Sequence, residues 1–127
     1  METENRYEKI IQNLNNAIYT CDEMGYLKLY NKAAAELWGR EPKPGKDLYC
    51  GSYKMFDKDG TELPFENYPM AVMLKNNKPI TNAEVTIQRP DGSFRKVLHS
   101  STPIYDLKGE LTGAVNILID VTDKNQK

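Results

Sequence analysis

The last third of this chain constrains its fold more than any other feature. Arg89-Pro90-Asp91-Gly92-Ser93 and Asp106-Leu107-Lys108-Gly109 punctuate three long stretches, about Thr81 to Arg89, Phe94 to Ile104 and Leu111 to Asp120. Glycines in Asp-Gly and Lys-Gly turns supply positive φ at little steric cost, so the three stretches are expected to pair as antiparallel strands. The last of them, within Gly113-Ala-Val-Asn-Ile-Leu-Ile-Asp-Val-Thr122, is apolar on both faces, as strands covered on both sides are. No catalytic motif interrupts this region.

A chain of 127 residues is one domain's worth and can bury a core without staples. Its 17 basic and 18 acidic residues are interspersed and leave a net charge of -1, which argues against nucleic acid or an anionic membrane as partner. Two cysteines, Cys21 and Cys50, with no apolar leader and no run long enough to span a bilayer, fit free thiols in a reducing compartment. A cytoplasmic domain is expected, which could be the cytoplasmic part of a membrane-bound protein.

Upstream, Tyr7, Ile10, Ile11 and Leu14 fall at helical spacing and predict an amphipathic helix within residues 1 to 15. Ala17 to Cys21 and Tyr26 to Tyr30 read as a hairpin through Glu23-Met24-Gly25. Asn31 is placed to cap a short helix from Lys32 to Trp38, with Gly39 as its stop. From Arg40 to Glu66 prolines, glycines and the turn Asp57-Lys58-Asp59-Gly60 break any period, and loops with one or two short helical turns are expected. Asn67 to Asn76 reads as a helix, with Pro69 tolerated in its first turn. The fold class expected is therefore α+β: a five-stranded antiparallel sheet with short helices gathered in mid-chain.

In this order and at this spacing, Asn31-Lys-Ala-Ala-Ala-Glu-Leu-Trp-Gly39, Asp91-Gly92-Ser93, Pro103-Ile104, Asp106-Leu-Lys-Gly109 and Asp120-Val-Thr122 resemble a PAS (Per-Arnt-Sim) domain with its C-terminal PAC motif. The resemblance spans about Tyr7 to Asp123. It implies a PAS domain over residues 16 to 123, preceded by the helix of residues 1 to 15 and followed by residues 124 to 127 as the start of a linker to an effector. It also implies that the concave face of the sheet meets the helices and encloses any ligand.

Alternate side chains on a strand point to opposite faces. Aligned on Pro103 and Asp120, the resemblance puts Val97, His99, Ser101, Ala114, Asn116 and Leu118 on the concave face. Val85 and Ile87 of the preceding strand, Trp38, and Met70, Met73 and Leu74 of the mid-chain helix complete the candidate pocket. His99 and Asn116 are polar groups among apolar ones; they either bond each other, Ser101, backbone or water, or fix the polar end of a small molecule. Val115, Ile117 and Ile119 need a second cover, and with the stripe Tyr7, Ile10, Ile11 and Leu14 they form the candidate interface of a homodimer. In the family, the Asp-x-Thr pair ties the end of the last strand to the turn after the third, here Pro90-Asp91-Gly92. Asp120, Thr122 and Arg89 are accordingly the candidate output residues, with Arg89 or Arg95 meeting the carboxylate.

Several chemistries are argued against. The Asn-Cys-Arg motif of flavin-binding relatives would align near Asp47-Leu48-Tyr49, with Leu48 at the place of the adduct-forming cysteine, so covalent flavin photochemistry is not expected. Haem-binding relatives commonly use a histidine on the central helix; His99 is the sole histidine and lies elsewhere. No cofactor is assigned and no metal site is expected. The run Asp57-Lys58-Asp59-Gly60 with Glu66 six residues beyond the glycine fails as a calcium loop, because the first position of such a loop would be Met55, which has no oxygen to offer. The function implied by the resemblance is a sensory, non-catalytic module of a signalling protein such as a sensor histidine kinase, binding a small ligand or dimerising and passing its state to an effector such as a kinase core. The alternatives are a small stand-alone enzyme using His99 as base, and a ligand-free dimerisation module.

Overall fold

The computed structural model describes residues 16–46 and 54–122. Its elements are β1 (Ala17–Asp22), β2 (Leu27–Tyr30), α1 (Lys32–Trp38), β3 (Lys54–Asp57), a 3₁₀ turn (Phe65–Asn67), α2 (Pro69–Asn76), β4 (Ile80–Gln88), β5 (Phe94–Tyr105) and β6 (Leu111–Asp120). The expected helix of residues 1 to 15 and the linker of residues 124 to 127 lie outside the described residues, as do Leu48 and Cys50.

The strands form one antiparallel sheet in the order β2-β1-β6-β5-β4-β3. It has six strands and not the expected five, because Lys54–Asp57, read as loop, pairs with β4 from Lys54↔Gln88 to Asp57↔Val85. Four residues are too few for a visible period, yet Met55 is fully buried and Phe56 meets Phe94 ring to edge at 5.9 Å on the other face. The Asp57 to Gly60 turn folds the chain straight back, so that Phe56 bridges Glu62. The mid-chain helix starts two residues later than expected: Tyr68, before Pro69, is held at φ -61, ψ 145, which separates the 3₁₀ turn from α2.

Four turns share one backbone design. In three of them an aspartate opens the turn and its Oδ1 accepts from the N–H groups two and four residues on: Asp22 from Met24 and Tyr26, Asp57 from Asp59 and Thr61, Asp106 from Lys108 and Glu110. Gly25, Gly60 and Gly109 take the left-handed position that follows, each at φ between 84 and 95. The fourth turn has the same backbone bonds, Arg89 N–H to Ser93 O and Gly92 N–H to Arg89 O, but opens with Arg89 in place of the aspartate.

Gly113 serves a different purpose. A Cβ there would lie 2.1 Å from the Cys21 carbonyl oxygen, so β1 and β6 can close only over a residue without a side chain. The concave face then stacks Ala17, Tyr19 and Cys21 of β1, Ala114 and Leu118 of β6, Val97 of β5 and Val85 and Ile87 of β4 against Ala34, Leu37 and Trp38 of α1 and Met70, Ala71 and Met73 of α2.

Candidate functional site: the polar interior and the strand-end clasp

Parity along β5 and β6 delivers His99, Ser101 and Asn116 to the concave face, and all three are fully buried. Register sets Ser101 opposite Asn116, and Asn116 opposite Tyr19 on β1, so one row of polar groups crosses three strands. His99 Nε2 lies 3.1 Å from Asn116 Oδ1 and 3.4 Å from the Tyr19 hydroxyl. The Asn116 amide nitrogen is 3.0 Å from Met70 Sδ on α2, so the row also touches the helix layer. Tyr19 packs edge-on against both Trp38, at 5.3 Å, and His99, at 5.9 Å.

With Asn116 Oδ1 as acceptor, Nε2 carries the imidazole proton and Nδ1 presents a lone pair. Burial pulls the His99 pKa down to about 4, with the Asn116 hydrogen bond acting the other way. The ring is therefore neutral at physiological pH. His99 Nδ1, Ser101 Oγ and Trp38 Nε1 find no hydrogen-bond partner among the described residues. The interior thus holds an acceptor, a hydroxyl and an N–H donor, and no charged side chain is among its buried residues. Cys21, also buried, is pushed up to about 12 by the same loss of solvent and is a thiol, not a thiolate.

Of the candidate pocket, Trp38, Met70, Met73, Val85, Ile87, Val97, His99, Ser101, Asn116 and Leu118 meet in this interior. Leu74 sits at its edge, half-buried against the core. Tyr19 and Met55 were not anticipated. The alternation Ala17, Tyr19, Cys21 carries the signal for Tyr19, since it puts all three on the inner face. Val115 and Ile117 lie on the outer face half-buried, and Ile119 is 36% exposed. Their expected partner stripe, Tyr7, Ile10, Ile11 and Leu14, falls outside the described residues.

The end of β6 is clasped, but not to the turn expected. The Lys96 N–H donates to Thr122 Oγ1 at 2.8 Å, Val121 N–H donates to Lys96 O at 2.8 Å, and Thr122 N–H donates to Asp120 Oδ1 at 2.9 Å. Arg95 Nη1 approaches Asp120 Oδ2 at 3.7 Å. The tie runs to the start of β5, because antiparallel register sets Asp120 opposite Val97, beyond the Pro90-Asp91-Gly92 turn. Arg89 does not meet Asp120's carboxylate by hydrogen bond or ion pair; its guanidinium donates to Leu37 O at 2.9 Å and Glu36 O at 3.1 Å, at the end of α1. Asp91 is occupied within its own turn, accepting from the N–H and hydroxyl of Ser93, which hold its carboxyl below the usual range.

Among the described residues no group of three histidine, cysteine, aspartate or glutamate side chains is placed to hold a metal ion. No described helix is long and apolar enough to cross a membrane.

A six-stranded antiparallel sheet with two helices on its concave face, closed by turns at this spacing, defines a class of α+β domain, and a family model described as the PAS fold matches residues 11–126. The chain belongs to the PAS-fold family. The comparison with curated protein sequences finds no match. Among solved structures, the chain is similar to the PAS domain of a protein from Colwellia psychrerythraea, with 20% identity and a TM-score of 0.65 over 95% of this chain and 98% of that one. It is also similar to the PAS domain of an HTR-like protein from Haloarcula marismortui, with 21% identity and a TM-score of 0.63 over 94% of this chain and 92% of that one. The PAS domain of Bordetella pertussis BvgS has 21% identity and a TM-score of 0.61, over 94% of this chain and 86% of that one.

Proposed function

We propose that this chain is a sensory module of a signalling protein, binding a small uncharged molecule in its interior and passing the bound state to an effector such as a histidine kinase core. The observation that carries this reading is the polar row inside the concave face. The mutual bond of His99 and Asn116 uses one imidazole nitrogen and leaves Nδ1, the Ser101 hydroxyl and the Trp38 N–H without protein partners among the described residues. Each such buried group costs about 1 to 3 kcal/mol if left unpaired. A ligand able to donate to Nδ1 and accept from Trp38 or Ser101 recovers that cost, and a charged one would meet no counter-ion there.

The module is non-catalytic in this reading. A general base works best with a pKa near the operating pH, whereas burial outweighs the Asn116 bond and holds His99 at about 4, with no carboxylate beside it among the buried residues. The strand-end clasp of Asp120 and Thr122 is the output point, a homodimer built on the outer face of β6 and residues 1 to 15 is the assembly, and the cytoplasm is the compartment. Native mass spectrometry with an absorbance spectrum of protein purified from cells tests the ligand reading. An added mass that is lost in the Ser101→Val and His99→Phe variants supports it. A protein that carries no added mass and binds no member of a metabolite library sinks it and leaves a dimerisation module.

A further inference from the structure

Helix α1 is seven residues long, too short to persist on its own hydrogen bonds, so its position depends on what holds its ends. The N-terminal end is fixed by Asn31, whose Oδ1 accepts from Ala34 N–H at 2.9 Å. The C-terminal end has no basic residue in its last turn. A cation arrives there from another element: Arg89, at the end of β4, donates through Nε and Nη2 to the carbonyls of Leu37 and Glu36. These are among the terminal carbonyls that lack intrahelical partners, and the helix dipole favours positive charge beside them. The Arg89 side chain crosses Gly39, whose would-be Cβ lies 3.1 Å from its Cγ and Cδ.

Two further observations give this contact a purpose. β1, which α1 follows through β2, is separated from β4 by β6 and β5, so Arg89 straps the helix to the far half of the sheet. The turn that carries it keeps the backbone bonds of the other three but opens with Arg89 where they have an aspartate, so the side chain at that position reaches α1 and does not bond within its own turn. Beside the strap, a cleft of about 320 Å³ between α1 and β6 is walled by Glu36, Leu37, Arg89 and Asp120 and floored by Ala17 and Leu118. Both floor residues belong to the core, and Trp38, which follows Leu37 on α1, is fully buried against Tyr19 and Tyr30.

We propose that Arg89 is the latch of a gate: when it lets go of the Leu37 and Glu36 carbonyls, the end of α1 swings outward with Trp38 and opens this cleft into the polar interior. The gate's use rests on the interior being a ligand site; its existence is tested without a ligand. Trp38 is the only tryptophan, and in a Cys50→Ser background Cys21, near the opposite end of β1, is the only thiol. Acrylamide quenching of Trp38 then reports gate opening, and N-ethylmaleimide labelling of Cys21 reports general loosening of the core. Arg89→Ala and Arg89→Gln are expected to raise the quenching constant several-fold, up to roughly tenfold for the loss of charge-assisted bonds. Labelling of Cys21 should stay at the wild-type rate. Arg89→Lys, which keeps the charge but not the two-pronged fork, should fall between, and it carries the test if Arg89→Ala does not fold. Unchanged quenching, or quenching and labelling that rise by the same factor, overturns the latch. A negative ligand screen alters neither readout.

Discussion

At the scale of single residues, a few side chains satisfy several backbone groups at once, and their loss should cost more than one contact each. Asn31 is fully buried; its Oδ1 accepts from Ala34 N–H and, at 3.1 Å, from Ile18 N–H, while its Nδ2 donates to Asn16 O at 2.8 Å. Asn31→Ala should therefore destabilise the domain by about 2 to 4 kcal/mol, more than an ordinary cap, as measured by urea unfolding. Asn31→Asp keeps both acceptor bonds and loses the donor, so it should fall between. A cost below that of an ordinary cap in the alanine variant would mean that Asn31 acts as a cap alone. His99 gives a pH signature. Its pKa falls from 6.5 in the unfolded chain to about 4 when folded, so between those values the unfolded state binds the extra proton. Stability is then fully present above pH 6.5 and declines as pH falls toward 4, by up to about 3 kcal/mol. In His99→Phe this share of the decline should vanish from unfolding curves taken across the window, and an identical slope in the variant would contradict the assignment.

At the scale of elements, the long strands and α1 were legible because each repeats its signal: Asn31 and Gly39 bracket α1 at both ends, and β4, β5 and β6 are long enough for alternation to show. β3 was not, since four residues show no period and its inward Met55 has meaning only once β4 is beside it. Asp57 and Asp106 were readable as turn openers, whereas Asp22, one residue before the expected Glu23-Met24-Gly25 turn, and the destination of Arg89 were not. Its partners are backbone carbonyls 52 and 53 positions away, which carry no residue type to match. Asp120 shows the same limit, because the resemblance supplied the pair Asp-x-Thr while only register decides that it meets Arg95 and Lys96. The β1–β6 junction yields a sharp prediction. Gly113→Ala forces a Cβ to within 2.1 Å of the Cys21 carbonyl, a contact with backbone that no rotamer can relieve. It should cost about 3 kcal/mol or more and leave little folded protein, whereas Gly60→Ala, with open space around it, should cost only about 1 to 2 for the left-handed backbone. Thermal melts of the two variants, compared side by side, check this; equal losses would contradict the close-approach account.

At the scale of the whole molecule, the proposed signal has a route with two fixed points: a polar interior touching α1 and α2, and a clasp where β6 ends. Coupling between them requires an element whose two arrangements the two sites bias differently. Asp120→Ala should leave folding and interior binding nearly intact while breaking the link, so that a fusion to a histidine kinase core autophosphorylates at a rate no longer altered by ligand. An equal ligand response in both fusions would send the output by another route. The proposed homodimer makes its own prediction: if residues 1 to 15 and the outer face of β6 build it, removal of residues 1 to 15 should change the mass distribution in analytical ultracentrifugation, and an unchanged distribution would argue against it. The central claim, an interior that recognises a small uncharged molecule, is tested most directly by nuclear magnetic resonance of labelled protein against a library of neutral and charged metabolites. The account predicts that at least one neutral compound shifts the His99 Nδ1 and Asn116 side-chain resonances together with those of α2, and that charged compounds of similar size do not. A library in which no compound moves His99, or in which only charged compounds do, would contradict it.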